Sequence, residues 1–257
     1  MMHNPLDRTW RLLATAFSFA VFGVAALVVA IIIVPLLAIL VSDPMRQRRL
    51  ARHFIHRLFQ LFIGLLQLLG VISVEIMQPD KLQQSGLILA NHPTLIDVFF
   101  LLAVIPNANC VVKKSLTKNP FTSAAIKAAG YIVNQENPYE VLAEADLAFQ
   151  QGETLIVFPE GTRSRLGQAI KLKGGAAIMA VRANVDVTPV TIQCAPLILT
   201  KGAAWYHIPE QKPHFIIQVQ DAIAISDYRL QTQPRLAARS LTSDLTHYMN
   251  KELGRYE

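Results

Sequence analysis

The chain is 257 residues long, 52% hydrophobic and only 16% charged, with a formal net charge of +6. That length holds one globular domain plus an appendage, and so apolar a composition argues against an ordinary soluble enzyme and for membrane contact. The positive charge favours anionic lipid, an acidic protein or a phosphorylated substrate, whereas nucleic acid is not expected as a partner because no basic stripe with interleaved aromatics is present.

The first element is Leu12 to Ser42, "LLATAFSFAVFGVAALVVAIIIVPLLAILVS", which contains no charged residue. It exceeds the ~20 residues that a helix needs to cross a bilayer. It also exceeds the ~7–15-residue core of a secretory signal peptide. A basic block follows it: Arg46, Arg48, Arg49, Arg52 and Arg57. The segment reads as an anchor, and the block outweighs Arg8 and Arg11 upstream, which places the downstream chain on the cytoplasmic side. Pro35 allows a kink and therefore a bent or re-entrant hairpin. A second apolar stretch, Leu58 to Val74, carries Gln60, Gly64, Gln67 and Gly70 and reads equally as an interfacial segment or a buried helix.

From about Val71 short β-branched runs alternate with helix-like segments. The strand-like runs are "VISVEIM", "GLILAN", "NCVVKKS", "YIVN", "TLIVFPE", "VDVTPVTIQC" and "HFIIQVQDAIAI". Helical patterns lie near Thr94–Val104, Phe121–Ala129, Tyr139–Gln150, Gly175–Ala183 and Arg235–Leu253. The expected fold is α/β, with a mixed, largely parallel sheet flanked by helices and an N-terminal membrane-anchoring helical segment. The expected division is 1–70 for the anchoring helices and 71–257 for the globular domain. Cys110 and Cys194 each sit in an apolar run and read as core thiols.

Two stretches carry chemistry. In "NHPTLID", Pro93 suits the first position of a helix, leaving His92 at or near the N-cap and Asp97 in the early turns. The helix dipole there disfavours the imidazolium, and the carboxylate fixes the tautomer of a general base. A histidine with an aspartate five residues on is a common pairing, however, and alone says little. In "VFPEGTRSR", Val157 to Arg165, a strand ends in a turn and a loop with two arginines. It reads either as a solvated basic loop or as an anion cradle at the carboxyl edge of a sheet. In the cradle Gly161 permits close approach, Arg163 binds phosphate, and Thr162 and Ser164 add hydroxyls.

Taken in order, "NHPTLID", "VFPEGTRS" and "VDVTPV" resemble the blocks of the glycerolphosphate and lysophospholipid acyltransferase family, of the 1-acylglycerol-3-phosphate acyltransferase type. "KKSLTKNPFTSAAIKAAGYIV" and "LKGGA" resemble its connecting and lysine-glycine segments. The resemblance covers roughly Gly86 to Gln193. It implies His92 as general base with Asp97 orienting it, and Glu160, Gly161, Thr162 and Arg163 as the acceptor-binding loop. Lys114 and Lys173 would assist with phosphate or the oxyanion. Val187, Thr188 and Pro189 would either shape the acyl or donor pocket or form a core strand.

The resemblance also implies direct transfer of a fatty acyl group from an acyl-carrier protein or coenzyme A thioester to a hydroxyl of a lipid acceptor at a membrane, with no metal or other cofactor. With the charge bias it implies a bacterial-type inner membrane, the catalytic domain facing the cytoplasm. One position departs from the family: Glu136 stands where an arginine usually binds the acceptor phosphate. A carboxylate there repels phosphate and points to a hydroxylated lipid acceptor other than a simple glycerol phosphate. A hydrolase using the same His/Asp pair, and a non-catalytic lipid-binding scaffold, are the competing classes.

Overall fold

A computed structural model describes residues 5–83, 86–135, 137–165, 167–229 and 233–254. The N-terminal apolar run forms α1 (Pro5–Val28) and α2 (Val34–Leu40), joined by a π-helical turn at Val29–Ile33. Pro35 has no N–H to donate and its ring crowds the preceding turn. The helix responds by widening, with the Val34 N–H bonding the Val29 carbonyl. The expected kink is thus a π-turn that lets the helix continue. After a short turn α3 (Pro44–Leu68) begins, capped by the Asp43 carboxylate, which accepts from the Met45 and Arg46 N–H groups, and with Pro44 at its first position. This helix holds both the arginine block and most of the second apolar stretch, and Ile55, Phe59, Phe62 and Leu66 on it are buried.

All seven β-branched runs are strands: β1 (Ser73–Met77), β2 (Leu87–Ala90), β3 (Ala108–Lys113), β4 (Ile132–Asn134), β5 (Thr154–Val157), β6 (Val187–Ala195) and β7 (His214–Val219). They form one sheet in the order β1-β7-β6-β2-β5-β3-β4. Every neighbouring pair is parallel except β6 with β7. The intervening helices are α4 (Asp97–Val104), α5 (Ser123–Ala129), α6 (Pro138–Gln150), α7 (Gly175–Ala183), α8 (Ser226–Arg229) and α9 (Pro234–Glu252).

Two apolar cores lie on the two faces of this sheet, as expected where crossovers cover a parallel sheet on both sides. One unites Ile55, Phe59 and Phe62 of α3 with Phe100 and Leu101 of α4 and with Ile88, Ile156 and Phe215 of the sheet. The other packs Val141 and Ala145 of α6, Ala180 of α7 and Leu241 of α9 on Leu87 and Leu155. Strand alternation sends successive residues to opposite faces, which is why Leu87 and Ile88 belong to different cores.

Helices α1 and α2 pack on α3, and α3 packs on α4 and α5. A buried ion pair fastens this arrangement: Arg52 of α3 meets Glu153, which lies just before β5. The arginine Nε also donates to the Ala129 carbonyl at 2.7 Å, and Asn109 Nδ2 donates to the glutamate at 2.9 Å. Both charges are withdrawn from water, Arg52 being 2% and Glu153 4% exposed.

Candidate active site

Strands β2 and β5 are hydrogen-bonded parallel neighbours, with Leu89 opposite Val157. Both therefore end at the same sheet edge. The loop after β2 begins with Asn91 and His92, the loop after β5 with Phe158, Pro159 and Glu160. Two motifs about seventy residues apart in sequence meet because strand order makes them adjacent.

His92 lies in an irregular loop, and α4 begins only at Asp97. The expected N-cap position for His92 is corrected accordingly. Residues 94–96 form a turn in place of the first helical turn, because Asp97 spends its carboxylate on that turn. Its Oδ2 accepts from the Thr94 N–H at 2.7 Å and its Oδ1 from the Thr94 hydroxyl. The same Oδ2 lies 2.8 Å from His92 Nδ1. The carboxylate thus fixes the imidazole through direct contact.

Asp97 is completely buried. Burial pushes its carboxyl above the usual carboxylate range, opposed by the hydrogen bond and charge of His92 and by the Thr94 donors. The His92 side chain is 21% exposed, and its ring leans on Phe158 with centroids 4.5 Å apart. With Nδ1 bound to Asp97, Nε2 is left for the cleft.

Glu160 joins the two loops. Its Oε1 accepts from the backbone N–H of His92 at 2.9 Å and from the Ser164 hydroxyl at 2.7 Å, while the Ser164 N–H donates to the His92 carbonyl at 2.7 Å. Gly161 takes φ +68°, and a Cβ there would sit 2.8 Å from Lys173 Nζ, so the lysine ammonium packs over a position that only glycine fills. The Arg163 guanidinium donates from Nη1 to the carbonyls of Leu199 and Thr200, at 2.8 and 2.9 Å. Thr162 is half-buried.

A cleft of about 270 Å³ opens here, lined by His92, Leu95, Phe158, Gly161, Arg163 and Lys113 among others. Lys114 starts the 3₁₀ turn after β3 and is exposed; Lys113 is the lysine that lines the cleft. An apolar cavity of about 120 Å³ shares Val98, Cys110, Val112 and Leu116 with the cleft and reaches Phe22 and Ala26 of α1. Val187, Thr188 and Pro189 are fully enclosed in β6 and line neither space, which supports the core-strand alternative. Burial pushes the Cys110 and Cys194 thiols up to about 12, so neither is a nucleophile near neutral pH. Among the described residues no group of histidine, cysteine or carboxylate side chains could hold a metal ion. Glu136 lies outside the described residues.

Two positioning residues escaped the sequence reading. Asn91, wholly buried, exchanges two hydrogen bonds with the backbone of Ile192 at 2.8 and 2.7 Å and fixes the direction in which the loop leaves β2. Thr94 holds Asp97. Both lie inside quoted motif text, and what marks them is a partner far away or a backbone turn, neither of which a residue pattern displays.

Residues 72–193 match the family model described as Acyltransferase. Among curated relatives, 1-acyl-sn-glycerol-3-phosphate acyltransferase of Limnanthes douglasii is 24% identical over 202 residues, spanning 76% of this chain and 70% of that protein. The enzyme of the same name from Helicobacter pylori is 30% identical over 114 residues, 42% of this chain and 48% of its own. The crystal structure of the 1-acyl-sn-glycerophosphate (LPA) acyltransferase PlsC from Thermotoga maritima shares the fold, with a TM-score of 0.71 at 19% identity, covering 98% of this chain and 99% of that one.

Proposed function

We propose that this chain, whose residues 72–193 match the Acyltransferase family model, is an acyltransferase that moves a fatty acyl group from an acyl thioester to a lipid hydroxyl with His92 as general base. The observation that carries this is the His92–Asp97 pair, in which Asp97 takes Nδ1 and the ring lines a cleft that shares four wall residues with an apolar cavity. His92 Nε2 removes the proton of the acceptor hydroxyl as its oxygen attacks the thioester carbonyl. The tetrahedral oxyanion collapses, the carbon–sulfur bond breaks, and the thiol of coenzyme A or of an acyl-carrier protein leaves with the proton returned by His92. Asp97 holds Nδ1–H and balances the imidazolium in between. A base so placed contributes roughly 10²–10⁴ in rate.

Arg163 brings positive charge to the cleft that His92 lines, and Lys173 brings it over Gly161 of the same loop, suited to an acceptor headgroup or to the oxyanion. Glu160, on this reading, serves the acceptor loop by locking it to His92. The apolar cavity suits the acyl chain. The acceptor is a hydroxyl of a lysophospholipid, a glycerol phosphate or a related lipid, and Glu136 favours a lipid other than a simple glycerol phosphate. If Glu136→Arg leaves acceptor preference unchanged, that refinement falls.

Leu6–Leu40 is the one helix among the described residues long and apolar enough to cross a bilayer. Leu13, Phe17, Ile31, Ile39 and Leu40 are exposed along it. Its packing on α3, which itself packs on the catalytic domain, favours a pair of helices seated in one face of the bilayer over a span. The charge bias favours the cytoplasmic face of a bacterial-type inner membrane, with residues 1–70 as the anchoring unit. Such seating spares acyl chain and acceptor a passage through water.

The test is transfer by membranes carrying wild type or His92→Ala, supplied with labelled acyl-carrier protein or acyl-coenzyme A and extracted lipids. A labelled lipid formed by the wild type alone is the expected result. Transfer persisting in His92→Ala would overturn the mechanism, and release of free fatty acid without an acylated lipid would mark a hydrolase.

A further inference from the structure

The segment after β6 touches the active site and the apolar N-terminal helix at once. Leu199, held at φ +50°, directs its carbonyl to the Leu95 N–H at 3.1 Å as well as to Arg163. One carbonyl thereby ties the turn beside His92 to the arginine of the neighbouring loop. A β-side-chain residue in this backbone region is uncommon and persists where surrounding bonds over-determine it. Further on, Trp205 packs edge-on against Phe19 of α1, with centroids 6.0 Å apart. Arg11 of α1, 2% exposed, donates to the carbonyls of Glu210 and Gln211 at 2.7 and 3.1 Å. The segment is clamped to α1 at both places.

Ahead of the Arg11 clamp the chain leaves Lys201, Trp205 and Tyr206 exposed. Trp205 is 46% and Tyr206 62% exposed, with rings 5.7 Å apart. Neither the indole N–H nor the phenol O–H has a hydrogen-bond partner among the described residues. Single exposed hydrophobics need no explanation, but here two adjacent aromatic rings are exposed together, one of them packed on the flank of the apolar helix α1 at Phe19. Amphipathic rings with an apolar body and a polar tip suit the headgroup layer, and an exposed lysine beside them suits anionic lipid. Charge on the segment is mixed at its far end, Glu210 and Lys212 both being exposed, and net positive overall.

We propose that residues 199–206 form a second membrane-docking element, seated by Trp205, Tyr206 and Lys201 in the headgroup layer of an anionic bilayer, which holds Arg163 in register with the lipid acceptor. This rests on the membrane reading above and names a contact separate from the N-terminal helices. Arg163 gains its position from the Leu199 and Thr200 carbonyls, so the depth at which the segment sits sets where the guanidinium meets a headgroup.

The chain has two tryptophans, so Trp10→Phe leaves Trp205 as the sole tryptophan, excited selectively over the tyrosines at the red edge of the absorption band. The full-length variant is reconstituted into vesicles of phosphatidylcholine and phosphatidylglycerol carrying bromine at shallow or deep acyl positions. Stronger quenching of Trp205 by the shallow label, with protection from aqueous iodide, is the expected result. A companion variant, Trp205→Ala/Tyr206→Ala, should raise KM for a vesicle-borne acceptor about tenfold, an interfacial loss near 1.4 kcal/mol, with kcat on a detergent-dispersed acceptor unchanged. Trp205 open to iodide and unquenched by either lipid, in protein that still floats with vesicles, would overturn the docking element and leave the helical anchor standing. Protein that fails to float would overturn both.

Discussion

The Glu160 carboxylate and the His92 backbone N–H form a 2.9 Å hydrogen bond that crosses between the loops after β5 and β2. Because the same oxygen also takes the Ser164 hydroxyl, one carboxylate sets the separation of the two motifs. Glu160→Ala should therefore lower transfer by at least tenfold and destabilise the fold by about 1–3 kcal/mol, the cost of leaving buried donors unmet. Glu160→Gln keeps an accepting oxygen and should retain most of the stability and a larger share of the activity. Urea unfolding together with initial rates separates the two variants; equal behaviour would show that the charge, not the acceptor atom, is what counts.

Asp97 gives a pH signature. Its folded-state pKa is raised by burial above the unfolded value of about 3.9. A raised pKa contributes stability that is full below the unfolded value and is lost as pH rises through the folded one. The wild type should therefore lose ground to Asp97→Asn as pH climbs from about 4 towards neutrality, although the variant carries a constant penalty for its altered bonds to His92 and Thr94. Melting temperatures of the two proteins across this range measure the sign, and parallel curves would contradict it. Activity of Asp97→Asn should fall roughly 10²–10⁴-fold, because the imidazole loses its tautomer control and its counter-charge.

Gly161→Ala meets two obstacles, a positive φ and the Lys173 ammonium 2.8 Å from the new Cβ. The backbone term alone costs about 1–2 kcal/mol. The lysine must also swing away from the loop, so activity should fall by more than stability does. Comparing Gly161→Ala with Lys173→Ala tests this: if the lysine's position matters, the two should lose activity to a similar degree.

The buried Arg52–Glu153 pair binds the N-terminal helices to the sheet. Removing one charge, as in Glu153→Ala, should destabilise by about 3–5 kcal/mol, whereas the paired change Arg52→Met/Glu153→Leu should cost less than either single change. Guanidinium unfolding of the full chain in detergent measures both. A double variant as unstable as the singles would assign the pair a further role in orienting α3.

Sequence reading reached furthest where the determinant is local or periodic. The seven β-branched runs with helical intervals specify an α/β domain because side-chain alternation and crossover length are written in neighbouring residues. "NHPTLID" and "VFPEGTRS" marked the candidate site because each holds its polar side chains within a few residues of one another. The start of α4 was misjudged for an equally local reason: Pro93 suits a first helical turn, but Asp97 spends its carboxylate on Thr94 and His92 and delays the helix to itself.

What the tertiary structure alone decided are relations carried by strand order and by the main chain. That β2 and β5 are neighbours, and so unite the two motifs, follows from the sheet's order, which no run of residues encodes. That Glu160 locks His92, Asn91 pairs with Ile192, and the Leu199 carbonyl serves both Leu95 and Arg163 are contacts whose partners are backbone groups. Every residue but proline carries the same N–H and C=O, so these partners leave no mark on composition or pattern, and only the folded chain determines which of them come within reach.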